Sequence, residues 1–246
     1  MSFDRIAEFY PLLFDKSARL AREGPLLLEL LNRYQQPVRV LDLACGTGIH
    51  SQFFSEQGAD VIGLDISPEM LMYAKEQPYA HNVFYLVADL THLPLAGRWD
   101  IILCLGNSLC LLRDYNCILD FFSQVKKLLA PQGTFILQIL NYNHSDMKEV
   151  QTKCIRKEQE DKKVTVIKTF IPDNDVVFLS INYFAKVQGE YKTSSDTNIL
   201  QKLSLQDLST IVQKAGLSIV SIFGDFQKSN FNIDTSRDVI VILSIK

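Results

Sequence analysis

The sequence predicts an α/β fold built on a doubly wound, parallel sheet covered on both faces. Three observations carry that expectation. Between residues 38 and 140, short β-branched and leucine-rich runs alternate with segments of helical periodicity. Runs such as IILCL at 101–105 are apolar without alternation, as strands buried on both faces require. A glycine turn, ACGTG at 44–48, joins the first such run to a helix, at the edge where open α/β sheets bind ligands. With 246 residues and a 47% hydrophobic fraction the chain can build a sizeable core, so a single domain over 1–246 is expected.

The elements follow in order. Residues 3–14 and 16–34 carry apolar residues at helical spacing, interrupted at Pro11 and at Gly24-Pro25. Residues 38–43 read as the first strand and 49–57 as a helix; DVIGL at 60–64 is the second strand. Ser67 then offers an N-cap, with Pro68 at the first helical position and Glu69 in the first turn. A third strand is expected at 82–87 and a fourth at 100–105. A helix at 114–129 ends at APQG, 130–133, before a fifth strand at 134–140. After about residue 145 the alternation stops. VTVIKTFI at 164–171 and VVFLSINYFA at 176–185 read as strands around the turn PDND, giving a β-rich insertion over about 150–200. The charged run 153–163 carries both signs and reads as a solvated face. Helix returns at 204–215, with capping-box spacing from Ser204 to Asp207 and a stop at Gly216. Strands at 217–223 and 238–245 close the chain.

Composition narrows the function classes. A net charge of -3 gives no electrostatic reason to expect nucleic acid. Five cysteines without a C-x-x-C pair fit reduced thiols rather than a disulfide framework. The start MSFD shows no basic region followed by an apolar one, and the apolar run within 101–112 is short and broken by Gly106, Asn107 and Ser108. A cytoplasmic protein without membrane association is expected. His50, His81 and His92 lack metal-ligand spacing, so no metal is expected either.

Three ligand classes compete for the loop at 44–48. A nucleotide P-loop needs a lysine in G-x-x-x-x-G-K-[ST], and none follows Gly48 at that place. A dinucleotide fingerprint needs a third glycine, where Ser51 stands. A nucleoside without phosphate remains. Asp65 closes the second strand and Asp89 the third, where carboxylates accept hydrogen bonds from ribose hydroxyls or an adenine amino group. Such an acidic rim repels a pyrophosphate and tolerates a cation. Asp100, at the start of the fourth strand, reads as structural.

LDLACGTG at 41–48, GLDIS at 63–67, ADL at 88–90 and WDIIL at 99–103 resemble the successive motifs of class I S-adenosylmethionine-dependent methyltransferases. The resemblance covers residues 38–140 in the family's order. It implies a seven-stranded sheet of order 3-2-1-4-5-7-6 whose antiparallel seventh strand is 238–245, with S-adenosylmethionine as cofactor and S-adenosylhomocysteine as product. It also implies roles by position. The backbone of Ala44, Cys45, Gly46 and Gly48 would lie along the methionine part, Asp65 would bind the ribose and Asp89 the adenine amino group. Asp42 would shape the loop and reach the ligand's ammonium through water, and Ile66, Met70, Leu90 and Leu105 complete the cofactor set.

CLGNSL at 104–109 and ILNYN at 139–143 resemble the small-molecule branch that includes glycine N-methyltransferase, with Leu140 where that branch carries arginine. The implied reaction is methylation of a nitrogen or oxygen of a small-molecule acceptor. Asn107, Asn141 and Tyr142 would contact that acceptor. So would Tyr10 and Phe14, from an N-terminal helical cap over 1–36, with the insertion covering the substrate side. His144, just past the fifth strand, is a candidate base. In-line transfer from an activated donor needs alignment and exclusion of water rather than a triad. Two alternatives stand beside this reading: methylation of RNA or protein, and a cofactor-binding module without turnover. Monomer and homodimer are both open.

Overall fold

Strands β1 (Arg39–Leu43), β2 (Asp60–Asp65), β3 (Val83–Val87), β4 (Trp99–Cys104) and β5 (Leu129–Leu140) run parallel in the computed structural model. The structure describes residues 9, 13, 15–77, 82–159, 162–187 and 189–245. Helix α1 (Lys16–Leu31) precedes β1, α2 (Ile49–Glu56) joins β1 to β2, α3 (Pro68–Glu76) follows β2, and α4 (Tyr115–Leu128) leads into β5. The strands alternate their side chains between two covered faces. Val40, Ile101, Leu103 and Ile136 pack with Leu27 and Leu30 of α1 and Phe54 of α2. Leu41, Leu43, Ile102, Phe135 and Leu137 pack with Phe121, Phe122 and Val125 of α4. Double coverage is why these strands read as unbroken apolar runs. Phe121, Phe122 and Phe135 meet edge-to-face at 5.7–6.1 Å, and each fully buried ring contributes about 1.5–3 kcal/mol.

Local signals set the helix starts. Ser67 Oγ accepts from Met70 N at 3.1 Å, with Pro68 opening α3. Asp114 caps α4 through Cys117 N at 2.9 Å. A capping box between Ser204 and Asp207 starts α5 (Leu205–Lys214), the last helix.

Four further strands form a separate antiparallel sheet in the order β6-β7-β8-β9: β6 (Gln151–Gln159), β7 (Lys162–Pro172), β8 (Val176–Val187) and β9 (Glu190–Gln201). Strand β10 (Leu217–Phe223) and strand β11 (Asp238–Ile245) complete the main sheet, whose order is β3-β2-β1-β4-β5-β11-β10. Strand β11 is antiparallel to both neighbours, so the sheet has the 3-2-1-4-5-7-6 order that the resemblance implied.

Two sequence expectations need correction. Helix α1 runs unbroken through Gly24-Pro25. Pro25 loses one backbone bond to the preceding turn, but Leu26, Leu27, Leu30 and Leu31 bury the helix on the sheet. Residues 130–133 do not end α4 as a free turn. They lie inside β5 as a bulge, where the ladder steps from Trp99↔Leu129 to Ile101↔Thr134. The described residues of the charged run, 153–159 in β6 and 162–163 at the start of β7, lie on strands and are mostly exposed, as a solvated face requires, and the polar stretch 190–201 forms β9. Both β6 and β9 are edge strands, where charged and polar side chains discourage pairing with another chain. The covered face of this sheet, Val164, Val166, Ile181 and Tyr183, packs with Phe9, Leu13 and Met70. No helix among the described residues is long and apolar enough to cross a membrane.

Candidate active site

The chain leaves β1 through a sharp loop in which Ala44, Gly46 and Gly48 take φ of +56°, +56° and +73°. A non-glycine residue at positive φ costs about 1–2 kcal/mol, and Ala44 holds that conformation beside a cavity. Cys45 N donates to Leu64 O at 2.9 Å. Asp65 fixes the loop from the next strand: its Oδ2 accepts from Gly46 N at 2.7 Å and its Oδ1 from Ser67 N at 2.9 Å. The two glycines do different work. A Cβ at Gly46 would meet no atom within 4 Å, whereas one at Gly48 would run into the Tyr85 hydroxyl and stand 3.1 Å from Ala74 Cβ. Gly48 therefore serves packing and is not part of the cavity wall.

The cavity, about 390 Å³, opens at the carboxyl ends of β1, β2, β3 and β4. That is an ordinary size for a small-ligand site. Its wall brings together the backbone of Ala44, Cys45 and Gly46, the acids Asp42, Asp65 and Asp89, and the apolar side chains of Ile66, Met70, Leu90 and Leu105. Asp42 Oδ2 accepts from Ser51 Oγ at 2.6 Å, so the residue standing in place of a third glycine serves a carboxylate. Burial pushes the Asp42 carboxyl above its usual range, opposed by the charge of His50. Burial also raises the Cys45 thiol well above its ordinary value, which removes it as a nucleophile. Asp89 Oδ1 accepts from Thr91 N at 2.8 Å on an exposed turn.

A second cavity of about 480 Å³ adjoins the first, and Arg19, Gly106 and Leu111 border both. Its floor is Gln138, Leu140 and Asp238, and α1 supplies Arg22 and Glu23. The insertion roofs it with Lys168, Phe170, Leu179 and Ile181. Burial lowers the Lys168 ammonium from its ordinary pKa, and the facing Lys153 adds to that. Sequence reading missed Arg19, Glu23, His50, Gln138, Lys168 and Asp238. Only the Arg19–Glu23 spacing of four residues on one helix offered a signal.

Glu23 is 2% exposed and gathers three cations or donors. Arg19 Nε lies 3.2 Å from both its oxygens, Arg22 Nη2 2.7 Å from Oε1, and His50 Nε2 2.6 Å from Oε2. Burial raises its pKa, but the His50 hydrogen bond and the Arg19 charge outweigh this and lower it from 4.5 to about 2. A folded-state pKa below the unfolded one stabilises the protein above about pH 4.5, and that contribution disappears as pH falls toward 2. The shift corresponds to roughly 3 kcal/mol. Thermal melts from pH 7 to 3 should therefore show a steep acid limb in the wild type. Glu23→Gln should melt lower at pH 7 with a flatter limb; an unchanged slope would remove Glu23 as its source.

Several expected acceptor contacts lie elsewhere. Asn141 is buried away from both cavities. Its Nδ2 donates to Ile233 O and Ser236 O, each at 2.7 Å, and its Oδ1 accepts from Asn143 N at 3.1 Å. It pins the segment leading into β11. Asn141→Ala removes the three hydrogen bonds of its buried amide and should cost about 2 kcal/mol in urea denaturation, with ligand affinity in the first cavity unchanged. Tyr142 is also buried off both cavities, its hydroxyl accepting from Asn107 Nδ2 at 2.8 Å. Asn107 borders the second cavity at φ +68°, but its Oδ1 accepts from Leu140 N at 2.9 Å, so both ends of its amide hold protein groups. His144 lines neither cavity; its Nδ1 accepts from Asp146 N at 3.1 Å and caps a short 3₁₀ turn. Proximity in sequence to the end of β5 does not carry these side chains to its cavity edge. Tyr10 and Phe14 lie outside the described residues.

A methyltransferase-domain family model matches residues 40–133, which span the loop, Asp65 and Asp89. Rat (Rattus norvegicus) glycine N-methyltransferase is 27% identical over 241 residues, covering 87% of this chain and 80% of its own. Glycine/sarcosine N-methyltransferase of Halorhodospira halochloris is 34% identical over 135 residues, about half of each chain (53% and 50%). A solved S-adenosylmethionine-dependent methyltransferase from Clostridium acetobutylicum ATCC 824 superposes with a TM-score of 0.83 over 99% of this chain and 98% of its own, at 18% identity, and shows the same fold.

Proposed function

We propose that this chain, whose methyltransferase-domain match and relatives support a class I S-adenosylmethionine-dependent methyltransferase, methylates a nitrogen or an oxygen of a small molecule held in the second cavity. The observation that carries this reading is the junction of the two cavities at Arg19, Gly106 and Leu111. One cavity has room for the donor and the other for the acceptor, with a shared border across which a methyl group can pass.

The residues of the first cavity fit the cofactor. Gly46 leaves open space where a side chain would stand. Asp65, whose carboxylate holds Gly46 N and Ser67 N at the cavity wall, would accept from the ribose hydroxyls. Asp89 would accept from the adenine amino group between the apolar Leu90 and Leu105, and Arg19 would face the carboxylate of the amino-acid end. When bound, S-adenosylmethionine supplies an activated methyl group on a sulfonium whose departure leaves a neutral thioether. The protein's share is orientation and exclusion of water, and effective molarity from such positioning supplies roughly 7–11 kcal/mol. The insertion closes the second cavity with apolar side chains, which suits a small acceptor better than a polymer. The relatives named for glycine and sarcosine support a small acceptor as well, although a cavity of about 480 Å³ leaves room for one larger than glycine.

Isothermal titration with S-adenosylhomocysteine tests the cofactor site: saturable one-site binding is expected, and no heat at millimolar ligand would overturn the reading. Incubation with S-adenosylmethionine and a panel of amines, phenols and carboxylates should then methylate one class. Labelling confined to RNA or protein would sink the small-molecule assignment, and binding without any methylation would favour a module without turnover.

A further inference from the structure

We propose that Asp238 binds the acceptor's reacting nitrogen and takes its proton, which makes the acceptor an amine rather than an alcohol or a carboxylate. The proposal rests on the methyltransferase reading above.

Asp238 opens β11 directly opposite Leu140. Since β11 is antiparallel, its first residue sits at the edge where β5 ends, beside the second cavity, which Asp238 borders. Two hydrogen bonds fix it there. Gln138 Nε2 donates to Asp238 Oδ1 at 2.7 Å, and Gln138 Oε1 accepts from Gly106 N at 2.6 Å. Gly106 borders both cavities, so this carboxylate is held two hydrogen bonds from the junction between donor and acceptor. Among the described residues, Asp238 Oδ2 has no hydrogen-bond partner.

The surrounding charges leave Asp238 as an acidic pole. Arg22 and Glu23 face it from α1, Asp225 from the segment after β10, and Lys168 lies on the insertion's side of the cavity. Arg22 is engaged by Glu23 at 2.7 Å, as is Arg19 at 3.2 Å. Burial, Glu23 and Asp225 push the Asp238 carboxyl up, while the Gln138 hydrogen bond and Arg22 oppose them; the net shift is upward. Such a group matches proton exchange with an ammonium.

The step balances as follows. The acceptor enters as an ammonium paired with the Asp238 carboxylate and passes one proton to Oδ2. The freed nitrogen lone pair forms the N–C bond as the methyl–sulfur bond breaks, and sulfur keeps that electron pair. The product leaves as a methylated ammonium, and Asp238 returns its proton to water. An aliphatic hydroxyl, which holds its proton about as tightly as water does (about 15.7), is several units harder for a carboxylate to deprotonate than an ammonium at about 10.4. A carboxylate acceptor would meet like charge at close range. Phe170, Leu179 and Ile181 complete the match by accommodating an apolar body on the amine.

Calorimetry on the full chain separates this proposal from the reading beneath it. S-adenosylhomocysteine is titrated first. The saturated protein then receives matched amine, alcohol and carboxylate triplets on hexyl, cyclohexyl, benzyl and phenethyl skeletons. At pH 7.5, at least one amine should bind ten times more tightly than its alcohol and carboxylate partners. Its affinity should fall in acid as Asp238 is protonated. Asp238→Asn should cut amine affinity at least tenfold and flatten that pH profile, with S-adenosylhomocysteine affinity held within twofold. Equal binding across every triplet, no amine binding, or an amine preference that survives Asp238→Asn overturns the proposal while the methyltransferase reading stands. If S-adenosylhomocysteine does not bind the wild type, both fall. If Asp238→Asn also loses S-adenosylhomocysteine, Asp238→Glu decides: a kept amine preference supports the carboxylate's role, and a lost one overturns it.

Discussion

Asp65→Ala should weaken S-adenosylhomocysteine binding by a hundredfold or more, the largest effect on affinity expected from a single substitution in this chain. Two losses combine. The carboxylate itself is the proposed acceptor for ribose hydroxyls, and hydrogen bonds to a charged group contribute about 1.5–3 kcal/mol each. Two of them convert to roughly 10²–10⁴ in affinity, at about 1.4 kcal/mol per factor of ten. The substitution also releases Gly46 N and Ser67 N, which Asp65 holds at 2.7 and 2.9 Å, so the loop that shapes the methionine end loses its anchor. Asp65→Asn keeps one acceptor oxygen and should fall between the two. Calorimetry reads the affinity and a thermal melt checks the fold; undiminished binding by a folded Asp65→Ala protein would remove Asp65 from the site.

Gly48→Val should destabilise the protein by about 3 kcal/mol or more. Its φ of +73° alone costs a non-glycine residue about 1–2 kcal/mol. A Cβ there would also displace the Tyr85 hydroxyl and press on Ala74, and forcing extra atoms into a packed region costs typically about 1–3 kcal/mol. Gly46→Ala provides the contrast. It has positive φ but open space, so it should lose only about 1–2 kcal/mol of stability while its methyl projects toward the ligand and weakens S-adenosylhomocysteine binding. Urea denaturation and calorimetry on the two variants should show opposite emphases, stability for one and affinity for the other. Equal profiles would contradict the division of labour between the glycines.

How much of this was legible beforehand differs by region. The loop at 44–48, Asp65 and Asp89 occupy one short βαβαβ stretch, where strand ends and turn glycines are local features. The structure gathers Asp42, Asp65 and Asp89 on one cavity with Ile66, Met70, Leu90 and Leu105. Gly48 shows the limit even there, because its requirement comes from Tyr85 on β3, which no spacing within the motif announces. The acceptor side was read least well. Asn141, Tyr142 and His144 follow the fifth strand immediately, but the chain turns inward after Leu140, and Asn141 and Tyr142 close hydrogen bonds with distant segments.

By itself, the sequence determined the alternation of strands and helices, the helix caps at Ser67 and Ser204, the absence of a phosphate-binding pattern, and the resemblance to class I methyltransferases through its ordered motifs. All of these rest on periodicity or on contacts between near neighbours in the chain. Tertiary structure alone decided that charged 151–159 and polar 190–201 become edge strands, because their ladders pair with β7 and β8. It alone also brought together the second cavity, to which α1, β5, the insertion and β11 each contribute one wall. Arg22, Gln138, Lys168 and Asp238 stand far apart in the chain and in unremarked surroundings. Their meeting depends on β11 returning antiparallel beside β5 and on the insertion folding back over α1, which no local pattern encodes.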